Sequence, residues 1–239
     1  MKKYIQLLLT TLLTVFFATG QMAAGNVEDY KMQVPDFSVL KVNDNINVEY
    51  RCSADSAGYV FFECPSEQAS MLLFTSHKSA LTVQLDDAFT GDVVPTVRVY
   101  SSVLDKVENS GDSTVRIVSA APVTSFKATV IGNGTVIIDS IEATNVVLSI
   151  NTGKGHIAVE RGTTFKLSLN KMGKGTIEAG GLKASEVKVK MLGPGDIDCN
   201  VSETLSIFGG GSGTVYYSGN PRKVSNHSMG VKAVALNME

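Results

Sequence analysis

This sequence predicts an all-β protein: a parallel β-solenoid of about seven coils with two short strands per coil, preceded by an N-terminal β-rich segment. Three observations carry that expectation. A glycine recurs at Gly111, Gly134, Gly155, Gly175, Gly195, Gly213 and Gly230, at intervals of 23, 21, 20, 20, 18 and 17 residues, and a repeat of this length marks a stacked array. Each glycine opens a stretch in which apolar residues alternate with polar ones. Two residues on stand Ser113, Val136, Ile157, Ile177, Ile197, Val215 and Lys232; four on stand Val115, Ile138, Val159, Ala179, Cys199, Tyr217 and Val234. A period of two is a strand with one face inward. A second alternating run then follows in each unit, as Phe126/Ala128/Val130, Val146/Leu148/Ile150, Phe165/Leu167/Leu169, Val187/Val189/Met191 and Leu205/Ile207. Polar bends such as 160–164 and 180–185 separate the two runs.

In chain order the first element is a leader. Lys2 and Lys3 precede an apolar run over 5–17, and small residues follow at 18–20 and 23–25. This order reads as a secretory signal peptide over residues 1–25, cut after Gly20 or Gly25. A spanning helix needs about 20 apolar residues and this run is shorter, which counts against the competing reading, an uncleaved anchor. No later segment is long and apolar enough for an integral membrane span. No cysteine lies near the cut, which disfavours a lipid anchor. Export places the mature chain in the periplasm, on the outer membrane surface or outside the cell.

Residues 26–108 form the less regular N-terminal β segment. Strand-like runs at 37–42, 46–51, 59–64, 71–77, 81–85 and 96–101 are parted by turn-rich stretches, and 77–80 reads as a tight turn. Residues 109–239 carry the repeats. The full G-x-G stands at 132–134, 153–155, 173–175, 193–195 and 211–213, with degenerate copies at either end, as terminal units that cap rather than stack should show. No linker parts the halves, so residues 26–239 read as a single domain. A β-meander is the alternative, but it calls for hairpin turns at both ends of the sheet, whereas these glycines mark one corner. Gly134, Gly155, Gly175, Gly195 and Gly213 are the structural turn residues: each is expected to supply a positive φ, and the missing Cβ lets coils approach closely.

Composition removes several function classes. Lys+Arg number 21 against Asp+Glu 23, and loss of Lys2 and Lys3 leaves the mature chain near −4, without the basic excess that nucleic acid demands. His77, His156 and His227 are far apart, there is no CxxC, and no metal site or cofactor is expected. Cys52, Cys64 and Cys199 make an odd count, so at least one thiol is free or pairs between chains. A Cys52–Cys64 bridge stays open, although a simple hairpin register sets Cys52 near Tyr59 instead.

Five repeats such as Gly132-Asn133-Gly134-Thr135-Val136-Ile137-Ile138, behind a leader and a β segment, resemble the head GIN domain family of auto-transporter adhesins, common in Bacteroidetes. The resemblance covers roughly residues 36–235. It implies a secreted or envelope β-solenoid with an adhesin role and no catalytic residues. Lys154, Lys174 and Pro194 depart from the family's small middle residue.

Fragments that mimic active sites lack their context. Gly111-Asp112-Ser113 has no strand-to-helix elbow or partnered histidine, and the glycines at 209–213 lack the Lys-Ser/Thr of a phosphate loop. Asp196 and Asp198 read as a solvated edge, and Cys199 as core packing. Asp-Ser triplets at 55–57, 112–114 and 139–141 are candidate O-glycosylation sites. The functional expectation is a non-enzymatic exported envelope or cell-surface protein, an adhesin-like binding module. Its rivals are a lyase-like polysaccharide enzyme of the β-helix type and a purely structural envelope protein. An enzyme needs clustered acids beside a base, and Asp112, Glu178, Asp196 and Asp198 lie on different coils. Parity places Lys127, Lys166, Lys188 and Lys190 outward as a ridge, with Phe208 and Tyr216 near its C-terminal end. A solvated face that blocks strand pairing is the plain reading of that ridge. The sharper one is a binding face for a glycan or protein at the envelope, or for a second copy of the chain.

Overall fold

The computed structural model describes residues 14–15, 27–89 and 94–236. The expected leader, residues 1–25, lies outside the described residues except for β1 (Thr14–Val15), which pairs antiparallel with β2 (Val27–Gln33). Next come β3 (Val39–Val42), β4 (Val48–Cys52), β5 (Tyr59–Pro65), the single-turn α1 (Ser66–Ala69), β6 (Leu72–His77), β7 (Ala80–Leu85) and β8 (Val97–Ser101). The repeats supply β9 (Lys106–Asn109), β10 (Thr114–Ser119), β11 (Val123–Val130), β12 (Thr135–Ile138), β13 (Ile141–Ile150), β14 (His156–Val159) and β15 (Gly162–Met172). They continue through β16 (Thr176–Leu192), β17 (Asp196–Gly210), β18 (Thr214–Ser218), β19 (Lys223–Met229) and β20 (Lys232–Ala235).

The strands stack as parallel coils, about six turns of solenoid. One wall joins β9, β11, β13, β15 and the C-terminal parts of β16 and β17 to β19. A second joins β10, β12, β14 and the N-terminal parts of β16 and β17 to β18 and β20. Bonding runs between coils about 4.8 Å apart. Val136, Ile157, Ile177, Ile197 and Val215 form one fully buried column of the second wall. The residues expected as bends are themselves paired. Ile141, Gly162 and Leu182 partner one another in a short third ladder.

The N-terminal strands belong to the same stack, in an order the chain does not follow. β3 lies between β7 and β9, and β4 between β8 and β10, all parallel. The chain therefore lays down the β3/β4 coil, builds β7/β8 on its outer side, then crosses back to continue on its inner side. Antiparallel β2, β5 and β6 close that outer end. Tyr30, Phe62 and Phe74 stack there at centroid separations of 5.1 and 5.6 Å. The turn at Lys78 has φ 55°, as a two-residue hairpin needs.

Four details differ from the sequence reading. At most corners the first glycine of each G-x-G takes the positive φ, as at Gly153 (77°) and Gly173 (109°). The second is required by contact: a Cβ on Gly155 would lie 2.5 Å from Val130 Cγ1, and one on Gly175 2.3 Å from the Gly155 carbonyl. The degenerate end copies sit out of step, since Val115 rather than Ser113 partners Val136, and Ala233 rather than Lys232 partners Val215. Phe165, expected inward, is half exposed where the strand bends, and Lys171 takes the fully buried place between Ile150 and Met191. β4 and β5 form no hairpin, and Cys52, Cys64 and Cys199 are free thiols.

Candidate functional site

Outward residues of the first wall form columns along the rod. One column runs Lys106, Lys127, Val147, Ser168, Lys188, Ser206. Lys127 therefore lies three coils from Lys188 and beside Lys106, not in a continuous ridge. Lys166 lies within a second column, Ser125, Asn145, Lys166, Glu186, Thr204 and Lys223, and Lys190 belongs to a third with Phe208 and His227. All four lysines are exposed. Tyr216 stands on the outer face of the second wall, next to Asp198 in register, and does not join them.

Lys166, Lys188 and Phe208 do come together. With Ser168, Glu186, Thr204 and Ser206 they line a groove of about 300 Å³ across three successive coils. The serines and the threonine leave the depression, and the long side chains wall it. The Lys188 ammonium lies 5.4 Å from the Phe208 ring centroid, and Phe208 stacks on His227 at 5.5 Å. Lys166 Nζ is 3.8 Å from Glu186 Oε2, so one of the groove's cations is partly neutralised, while Lys188 has Phe208 as an aromatic neighbour and no ion-pair partner among the described residues. Such a surface attracts anions and offers a ring for apolar contact.

The acids of the second wall are arranged differently. Glu178 and Asp198 are neighbours in one outward column, and His156 Nε2 lies 3.4 Å from Glu178 Oε1. Burial, and secondarily the Glu178 charge, holds Asp198 above the ordinary carboxylate range against a hydrogen bond from the Gly180 N–H. Asp196 accepts from the Thr214 N–H and Asp112 from Asn133, both turn contacts. None of these acids lines the groove.

Sequence reasoning missed Lys171. Its amine donates to the carbonyls of Pro194 (2.5 Å) and Gly173 (3.4 Å), closing a corner from within. Burial pulls its pKa below the ordinary lysine range, opposed by Asp196. The signal was its parity with Leu167 and Leu169.

Stacked parallel coils with a continuous apolar interior and a shallow charged groove on one wall define a β-solenoid that presents surface rather than enclosing a pocket. The sequence pattern of the family described as "Putative auto-transporter adhesin, head GIN domain" matches residues 36–221, and the chain belongs to that family. A "putative adhesin" of Bacteroides fragilis has a solved structure similar to this one with a TM-score of 0.80 at 22% identity, covering 90% of this chain and 99% of that one. A "putative lipid binding protein" of Parabacteroides distasonis gives 0.68 at 20%, over 88% and 97% of the two chains. A "putative adhesin" of Parabacteroides merdae gives 0.66 at 19%, over 89% and 98%. No curated protein matches the chain.

Proposed function

We propose that the protein is a non-enzymatic binding module of the cell envelope or cell surface, exported by its leader, and that the groove of the first wall engages an extended acidic glycan. The observation that carries this reading is the grouping of Lys166, Lys188 and the exposed Phe208 on three adjacent coils. A strand-like polymer crossing the coils meets Lys166 on one coil, Lys188 on the next and, on the third, Phe208, which offers a ring for a sugar face. Descriptions of the family and its solved relatives as adhesins support a binding role.

The test is a binding screen of the protein against acidic and neutral glycans and matrix proteins at two salt concentrations, repeated with Lys166→Glu/Lys188→Glu. Acidic glycans should bind, and reversing two charges should weaken binding at least about tenfold, as should raising the salt from 0.1 to 1 M. Binding indifferent to both changes removes the groove from the mechanism. Turnover of any polysaccharide in the same screen makes the lyase the better reading.

A further inference from the structure

The two ends of the rod differ in finish and in charge. At the N-terminal end Leu81, Val83, Val97 and Val99 are fully buried under the antiparallel strands. At the opposite end two inward columns stop at Val224 and Ala235, beside a cavity of about 630 Å³ lined also by Tyr217 and Leu236, and those through Ile207 and Val215 stop at Asn226 and Ala233. Val224, Val234, Leu236 and Met229 are exposed there, Met229 to 83%. Among the described residues β20 pairs only with β18 and β19 only with β17, which leaves one backbone edge of each open. Among the described residues the far edge of β2 meets only β1, at Tyr30 and Lys31.

Charge divides the same way. From residue 204 onward the sole acidic side chain is Glu239, while Arg222 and Lys223 stand at the start of β19 and Lys232 at the start of β20. Arg222 is held by Glu203, leaving Lys223 and Lys232. At the other end β2 and α1 carry Glu28, Asp29 and Glu67 against Lys31, with Glu63 already on Arg98. Strand direction also agrees. β2 is antiparallel to β5, and β5 to β8, so β2 points the same way as β8 and every later strand of that wall, β20 included.

We propose that these ends are mates: the C-terminal end of one copy docks on the N-terminal end of the next, β20 extending its wall in parallel onto the neighbour's β2. Val27, 62% exposed, lies on the side of the apolar C-terminal residues, and the acidic start of β2 at Glu28 and Asp29 enters the positive field of Lys223 and Lys232 on the last two strands. Removal of the leader takes β1 with it and frees the whole β2 edge. The contact joins two different surfaces by translation along the rod, so it does not close and association is open-ended.

Sedimentation velocity over a concentration series tests this on the chain from residue 26, which retains the entire core, since that core begins at Tyr30. The average mass should climb without a plateau, and association should weaken at least about tenfold between 0.1 and 1 M salt. Lys223→Glu/Lys232→Glu and Glu28→Lys/Asp29→Lys should each stay monomeric, and their mixture should associate again, which a folding defect in either could not produce. A monomer at every concentration overturns the proposal. So does a plateau at dimer, or a mixture of the two variants that stays monomeric.

Discussion

In most G-x-G corners the two glycines answer separate constraints, one torsional and one steric, whereas at Gly193 and Gly195 both take a positive φ. Gly175 shows the steric one: a Cβ there would lie 2.3 Å from the Gly155 carbonyl and 2.9 Å from Ile150 Cδ1. Backbone cannot yield as a side-chain tip can, so Gly175→Val should destabilise by at least about 2 kcal/mol through overpacking between coils. Urea denaturation measures it. A loss under about 0.5 kcal/mol, typical of a surface site, would contradict the close approach. That glycine was required at these positions is legible in the recurrence itself. Which of the pair bears the positive φ was not, because it depends on how far each coil is offset from the one below.

At the level of the strand, β15 shows how a pattern match can slide. Phe165, Leu167 and Leu169 share one parity, and the two leucines face inward as expected, paired with Val146 and Leu148, but Phe165 turns out and the same parity carries Lys171 inward. The bend at Phe165 and the two corner carbonyls that hold the amine are properties of neighbouring coils, invisible within one repeat. The alternation and the outward lysines were readable because parity is local; the grouping of Lys166 with Lys188 and the separation of Lys127 and Tyr216 follow from inter-coil register. Because the folded pKa of Lys171 is lowered, the unfolded chain binds more protons between that value and the ordinary lysine pKa, so this residue makes stability rise with pH across that window. Lys171→Met should abolish that rise. Tyr30, pushed up to about 12 chiefly by burial, and Cys64, to about 11 chiefly by burial, titrate alike in both proteins and cancel in the difference. Chemical denaturation from pH 7 to 11 should show the gap between variant and wild type shifting steadily toward wild type. A gap independent of pH would mean that the proton on Lys171 is not coupled to folding.

Across the whole rod, stability should be graded rather than uniform, since each coil is held only by those on either side. β19 and β20 have a neighbour on one side and exposed apolar residues. β12 and β14 are covered on both. Hydrogen exchange in dilute, high-salt solution, where rods stand apart, should find amides of β19 and β20 exchanging at least about a hundredfold faster than those of β12 and β14. Equal protection throughout would instead indicate one all-or-none unit. The transposed order of the first coils was not legible in the sequence: the runs at 37–42 and 46–51 look the same whether the next coil covers them from above or from below.

That transposition makes the molecule mechanically lopsided. Tension applied at the C-terminal end meets coils that peel one after another, each exposing the next. Tension entering from the N-terminal side, once past the closing strands, reaches β3 and β4, which are gripped by β7 and β8 on one flank and by β9 and β10 on the other. Those ladders must fail together before any chain is released. A rod tethered by its N-terminus and loaded through its side wall would thus carry the strain on its strongest course, while one held by its C-terminus would unravel from the tether.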